Sequence, residues 1–316
     1  MPLRMGVIGV GYLGRHHARI YSEIEDADLV AVADTDSTKA ADVAGTYGCM
    51  HYASYSDIFK LCDAISIATP TTTHYRVAMD CLEAGKDILI EKPITENIGE
   101  AEAIIAEAEK RDRIVQVGHL ERYNQGIIAA SQFIGKPRFV ESERISPFLG
   151  RGTDVDVTLD LMIHDIDLIM SIIHSKLRDI RAIGESIITE KIDVAKAWLE
   201  FENGCTALIT ANRLSSEKVR RLKVHQQDSF ILVDFQSQEV RRYYKDANAQ
   251  MAMDTIQPEQ KEPLREELLD FIRCIRKRTG PQVSGRDALY ALEIAVKITE
   301  LLKQKNRRNH ERTVRG

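Results

Sequence analysis

Residues Arg4–Gly14 read RMGVIGVGYLG. A short run of strand-forming residues ends in three glycines, Gly9, Gly11 and Gly14, spaced G-x-G-x-x-G and opening a helix-compatible segment. Taken alone the triplet is weak. Placed between a buried strand and a helix it has a mechanism. Gly9 permits the tight turn, Gly11 lets a pyrophosphate approach the backbone, and Gly14 allows close helix–strand packing. The helix N-terminus then offers its N–H groups to the phosphates.

Working outward, the next apolar run, DLVAVAD, ends at Asp34, about 20 residues beyond Gly14, where a carboxylate takes the ribose hydroxyls of an adenosine. Asp34 would repel a 2′-phosphate, and no arginine follows it in DTDSTKA, so the expected cofactor is NAD rather than NADP. Further runs, AISIATP, DILIEKP and RIVQVGH, alternate with amphipathic stretches to about residue 120. Continuous apolar strands separated by helices predict a parallel sheet covered on both faces, a doubly wound Rossmann α/β domain over residues 1–121.

The grammar then changes. KAWLEFENGCTALITANR reads as two strands about an Asn203-Gly204 turn, and KVRRLKVHQQ, SFILVDF and EVRRYYK follow without helices between them. This predicts an α+β domain over residues 122–316 with an open, mainly antiparallel sheet. Lys245 to Glu262 reads as a polar loop, and two helices, PLREELLDFIRCIRKR and RDALYALEIAVKITELLKQ, close the chain.

Composition narrows the class. A chain of 316 residues suits two domains, and 44% hydrophobic with 29% charged residues is ordinary for a soluble globular protein. No apolar run approaches the ~20 residues of a membrane helix, and the glycine-punctuated N-terminus reads as a strand, not a signal peptide. Five scattered cysteines without C-x-x-C argue for a reducing cytoplasm and against a disulfide scaffold or zinc ribbon. A net charge of −5 speaks against nucleic-acid binding, and the basic tail KQKNRRNHERTVRG reads as a solvated, frayed terminus.

Two further stretches carry chemistry. In DILIEKPITEN, Asp87–Asn97, a buried strand stops at Glu91-Lys92-Pro93, and Pro93 restricts the backbone of Lys92. Carboxyl ends of parallel strands line the ligand crevice. Cofactor contacts are therefore expected at Gly9, Gly11, Tyr12, Leu13, Gly14 and Asp34, and at further strand ends at Thr69, Pro70, His74, Glu91, Lys92 and His119. In TLDLMIHDIDLIMSIIH, Thr158–His174, a helical wheel puts Asp160, His164 and Asp167 on one thin polar stripe, continued by Ser171, in an otherwise apolar surface. Asp160 one turn before His164 is a pair that would raise the histidine's basicity. No H-E-x-x-H or second nearby histidine completes a metal site, and no metal is expected.

Together GVIGVGYLG, IATPTTTH, EKPI, GHLERYN and DLMIHDID resemble the glucose–fructose oxidoreductase / inositol dehydrogenase (Gfo/Idh/MocA) family, over essentially the whole chain. The resemblance implies an NAD(P)-dependent sugar or cyclitol oxidoreductase whose open C-terminal sheet mediates homodimers or homotetramers. It implies that Lys92, in E-K-P with a cis proline bond, hydrogen-bonds the reacting hydroxyl, and that Asp160 and His164 form the family's D-x-x-x-H pair. The chain departs from the pattern at GRGTDVDVTLD, where a glycine-rich run is usual, so the substrate loop is its own.

A narrower likeness, in VGHLERYN, RGTDVDVTLDLMIHDID and LEFENGC, is to the UDP-N-acetylglucosamine 3-dehydrogenase branch, whose 3-keto product is aminated on the way to lipid A. On that reading C3 of the sugar nucleotide is oxidised, with Lys92, Arg122, Tyr123, Asn124, Arg151, Asp160 and His164 meeting the substrate. Lys92, Asp160 and His164 are the catalytic candidates. His164 oriented by Asp160 is one assignment of the base, and Lys92 is the other. An inositol or free-sugar dehydrogenase, and a non-catalytic NAD-binding regulator, are the competing readings.

Overall fold

The computed structural model describes residues 1–148, 150 and 155–315, the last nine of these by their backbone alone. It contains two compact units, Met1–Leu120 with Glu262–Leu289, and Glu121–Lys261 with Tyr290–Gly316.

The first unit opens with β1 (Leu3–Ile8), α1 (Tyr12–Glu23), β2 (Ala27–Ala33), α2 (Ser37–Tyr47) and β3 (Met50–Tyr52). After β4 (Ala64–Ile67) come α3 (His74–Glu83), β5 (Asp87–Ile90), α4 (Ile98–Lys110) and β6 (Val115–Val117). All six strands are parallel, in the order β3-β2-β1-β4-β5-β6. The order reverses direction between β1 and β4, and ligands of open α/β sheets bind outside the strand ends at such a switch. β4 and β5 are buried at every position, which is why they read as unbroken apolar runs. Helix starts follow local chemistry: Asp36 accepts from the N–H groups of Thr38 and Lys39 to cap α2, and Asn97 accepts from Glu100 to cap α4.

The second unit contains α5 (Gln125–Ser131), β7 (Phe139–Ile145), a π-helical turn over Thr158–Met162 and α6 (Ile163–Ile172). Seven strands follow: β8 (Leu177–Glu185), β9 (Val194–Phe201), β10 (Thr206–Asn212), β11 (Val219–His225), β12 (Ser229–Asp234), β13 (Val240–Lys245) and β14 (Met251–Ile256). The sheet order is β14-β13-β12-β11-β7-β10-β9-β8, antiparallel except for the β7–β10 pair. β7 and β10 alternate strictly between buried and half-buried residues, so one face is covered and the other open. Gly204, with φ +82°, makes the turn between β9 and β10.

β14 corrects the expectation of a loop between Lys245 and Glu262. The strand has no buried residue and hence no apolar pattern of its own. It exists because it pairs with β13 from Val240↔Ile256 to Lys245↔Met251, and because Asp246 accepts from the N–H groups of Asn248 and Gln250 to close the turn.

The chain then returns to the first unit as α7 (Pro263–Lys277). Leu264, Leu268, Phe271, Ile272 and Ile275 share one face of this helix and join Met5, Val7, Leu29 and Val32 in a single core cluster. The reading of residues 122–316 as one continuous domain did not contain this return. α8 (Gly285–Arg315) follows and stays helical through the basic tail, where fraying was expected. No helix among the described residues is long and apolar enough to cross a membrane.

Candidate functional site

The glycine triad is built as its spacing demands. Gly9 has φ +84°, and a Cβ there would lie 2.8 Å from the Ala68 carbonyl. A Cβ on Gly14 would meet the Gly9 carbonyl oxygen at 1.8 Å, so the helix can approach the strand only without one. Gly11 is different: nothing lies within 4 Å of the position its Cβ would take. Gly11 is also the N-cap of α1, which no side chain caps. An uncapped helix N-terminus beside open space fits a pyrophosphate.

Asp34 stands at the end of β2 and is tied to the same loop. Its Oδ2 accepts from the Val10 N–H at 2.8 Å and its Oδ1 from the Asp36 N–H at 2.9 Å. A carboxylate accepts about four hydrogen bonds, so both oxygens keep capacity for ribose hydroxyls. The donor set therefore fits NAD: Gly9 to Gly14 for the phosphates and Asp34 for the adenosine ribose.

The Lys92–Pro93 bond at the end of β5 is cis. Two buried histidines hold this element from either side. His17, on α1, places Nε2 2.9 Å from Oε1 of Glu91. Glu91 is 5% exposed, and its carboxylate lies where a Cβ on Gly118 would approach within 2.9 Å. Burial pushes the Glu91 carboxyl upward, but His17, Lys92 and His74 together, His17 foremost through its hydrogen bond, hold the group below its ordinary value. The Glu91 side chain, expected among the cofactor contacts, is thus engaged with His17.

His74, from the strand-end stretch after β4, spans two carbonyls, with Nε2 2.9 Å from the Thr69 oxygen and Nδ1 3.0 Å from the Pro93 oxygen. Burial lowers its pKa, with both carbonyls pulling the other way. It stitches the Thr69-Pro70 segment to the proline after Lys92. His119 is buried just after β6.

In the second unit Asp160 lies within the π-helical turn and His164 in the first turn of α6. The turn is π-helical where a regular α-helical wheel was assumed, and residues four apart stay on one side of either helix. π turns inside helices are frequent at functional sites. Asp167 is taken up by Arg122, whose Nε and Nη2 donate to its two oxygens at 2.8 and 2.7 Å. Asn124 caps α5 through the Gly126 N–H and donates to the Phe235 carbonyl at 2.9 Å. Tyr123 is buried beside them. Arg151 lies outside the described residues.

A buried ion network was missed by the sequence reading. Arg144 on β7 donates to both oxygens of Asp165, at 2.7 and 3.2 Å, and to Glu121 at 2.8 Å. Burial works against its charge, but Asp165 and Glu121 more than offset that and hold its pKa above the ordinary value. The signal was present: strand alternation points Arg144 inward with Val140 and Ser142, and an inward arginine needs carboxylates. His17 left a similar trace, lying with Gly14, Ala18 and Tyr21 on the buried side of α1. Among the described residues no group of three or more His, Cys, Asp or Glu side chains is placed to hold a metal ion.

Comparison with known proteins agrees with this architecture. Residues 3–119 match the profile of an oxidoreductase family with an NAD-binding Rossmann fold, and residues 128–229 match that of the GFO/IDH/MocA C-terminal domain. The UDP-N-acetylglucosamine 3-dehydrogenase of Acidithiobacillus ferrooxidans is 36% identical over 312 residues, covering 96% of this chain and 99% of that one. Its solved structure superposes with a TM-score of 0.91 over the same shares of the two chains. The myo-inositol 2-dehydrogenase of Thermotoga maritima is 25% identical, over 96% of this chain and 97% of its own.

Proposed function

The chain belongs to the Gfo/Idh/MocA family of NAD-binding oxidoreductases, and from that premise we propose that it oxidises C3 of UDP-N-acetylglucosamine to a ketone. The observation that carries the substrate is the full-length likeness to a UDP-N-acetylglucosamine 3-dehydrogenase, at 36% identity against 25% for the inositol enzyme.

When bound, NAD+ supplies the acceptor for the hydride that leaves the carbinol carbon. The chain must hold the sugar nucleotide and move one proton from its hydroxyl. Lys92 carries a positive charge at a strand end where Glu91 is anchored by His17 and Pro93 by His74. A cation so fixed suits a developing alkoxide. His164, with Asp160 close by in sequence, takes the hydroxyl proton. The reverse allocation makes Lys92 the base. A 3-keto sugar nucleotide suits amination next, in keeping with a role in making the diaminosugar of lipid A in the cytoplasm.

The open face of the second unit's sheet supports a homo-oligomer. Phe139, His225, Phe230 and Tyr243 stack in a row across adjacent strands, with ring centroids 4.7–5.7 Å apart and Trp198 at its end. Light scattering tests the mass. The catalytic test is NADH formation from NAD+ and UDP-N-acetylglucosamine with a carbonyl trap, beside myo-inositol and free N-acetylglucosamine. NADH with the nucleotide sugar alone supports the reading. NADH with myo-inositol alone moves the chain to the cyclitol dehydrogenases, and none with any, despite NAD binding, favours a regulator.

A further inference from the structure

Arg220 on β11 faces a problem that the fold does not solve. In the β7–β11 ladder it is the direct partner of Arg144. Like charges directly opposite one another repel. Arg144 is relieved by Asp165 and Glu121, but those carboxylates are already engaged. Both oxygens of Asp165 accept from Arg144, one also accepting from the Ser142 hydroxyl at 2.7 Å, and Oε1 of Glu121 accepts from Arg144. Arg220 approaches that same Glu121 oxygen only to 3.7 Å, beyond hydrogen-bond range.

Its guanidinium makes no hydrogen bond to a described residue, and its Nε is buried without a partner. The side chain shares the covered face of the sheet with Leu222 and Val224, yet keeps 32% of its surface exposed. Burial, then the charge of Arg144, pull its pKa below the ordinary guanidinium value; Glu121, Asp165 and Asp160 pull it back.

A partly buried arginine whose Nε has no acceptor costs stability, and an apolar side chain at this position would remove that cost. Its planar fork is matched to phosphate oxygens. We propose that Arg220 is a substrate-binding residue, donating to a phosphate oxygen of the nucleotide sugar. The proposal rests on the nucleotide-sugar reading above and names the residue that would select the phosphorylated substrate. It needs no bond to be made or broken: one guanidinium gains the acceptor it lacks.

The experiment measures binding of UDP, UMP and uridine to the NAD-saturated protein by calorimetry, with Arg220→Gln and Arg220→Lys beside the unchanged chain. Steady-state kinetics on UDP-N-acetylglucosamine and thermal melting accompany it. We expect Arg220→Gln to weaken UDP about tenfold to hundredfold, to raise KM by a similar factor, and to leave kcat within about threefold. Uridine and NAD affinities should not change, and the melting temperature should hold or rise. Arg220→Lys, with the charge but not the fork, should fall between. If the unchanged chain binds UDP and Arg220→Gln binds it equally well, Arg220 is a structural arginine and the proposal is overturned alone. If the unchanged chain binds neither UDP nor UMP, the nucleotide-sugar reading fails and the proposal with it. An equal loss of uridine and UDP would assign the effect to local misfolding and also overturn it.

Discussion

His17 and Glu91, 74 positions apart in sequence, meet in the first unit as a buried pair, Nε2 to Oε1 at 2.9 Å, with side-chain exposures of 0% and 6%. The pair stands immediately before Lys92. It fixes the residue that precedes Lys92, so in the proposed reaction His17 would act through position rather than by touching substrate.

Replacing His17 by leucine strands the Glu91 carboxylate without a partner in the interior. Leaving a buried carboxylate without its hydrogen-bond partner costs about 1–3 kcal/mol or more. Urea denaturation should show a loss of that order, with His17→Gln, which keeps a donor, recovering part of it. Stability equal to the unchanged chain in His17→Leu would show that the pair contributes nothing.

Lys92→Ala should abolish NADH formation while leaving NAD affinity and the melting temperature close to those of the unchanged chain. The phosphates and adenosine ribose of NAD are expected on Gly9 to Gly14 and Asp34, which the substitution leaves intact, and Lys92 is only one of the contacts expected beyond them. Full turnover in this variant would remove the lysine from the chemistry. The pH profile of a residually active Lys92→Arg would separate the two base assignments, since arginine cannot serve as a base near neutrality.

The first unit should lose stability in acid in two windows. His74 has a folded pKa lowered from 6.5, so the unfolded chain binds its proton first. Its contribution is complete above about pH 6.5 and fades as pH falls through the lower folded value. Glu91 is lowered from 4.5, and its contribution fades below that. Melting temperatures from pH 7.5 to 4 should therefore fall, and His74→Gln should flatten the upper part of the slope. A slope unchanged in that variant would assign the acid sensitivity elsewhere.

Asp193 offers a test confined to the second unit. Its Oδ2 accepts from the N–H groups of Ile187, Ile188 and Thr189 at 2.8, 2.7 and 3.0 Å. Its Oδ1 accepts from the Thr189 hydroxyl at 2.7 Å and from Arg213 at 2.9 Å. Burial acts to raise its pKa, and these donors together drive it well below the usual range. Asp193→Asn turns an amide N–H toward donors and removes the charge that Arg213 Nε meets at 2.9 Å. We expect a loss of about 3–5 kcal/mol, read from the fluorescence of Trp198, the chain's one tryptophan. A loss below about 1 kcal/mol would place this acceptor among surface contacts.

Phe271→Ala, far along the sequence from the glycine motif, should destabilise the first unit by about 3–5 kcal/mol through the cavity it leaves. Phe271 is fully buried in the cluster with Met5 and Val7 on β1. If denaturation of residues 1–120 expressed alone matched that of the full chain, the return of α7 would not be part of this core.

Much of the fold was legible because its signals are local. Strands buried on both faces must be apolar throughout, so β1, β4 and β5 announce themselves, and a parallel sheet follows from the helices between them. The glycine triad is legible through its spacing: Gly14 must clear the Gly9 carbonyl within the same turn and Asp34 follows at a constant distance, although the Ala68 carbonyl that excludes a Cβ at Gly9 comes from the end of β4. β14 was illegible for the opposite reason. Nothing in its residues is buried, and pairing with β13 alone makes it a strand. The π turn at Thr158–Met162 was hidden because a wheel assumes the very spacing that the turn changes.

The amino-acid sequence by itself determined the fold class and the cofactor motif, since strand and helix periodicity and the glycine spacing are written in short stretches of chain. Tertiary structure alone decided that α7 completes the first core, that His17 holds Glu91, and that Arg220 faces Arg144 with its buried Nε lacking an acceptor. These relationships depend on strand register and on chain segments dozens of residues apart, and a sequence specifies such partners only through the folded backbone that brings them together.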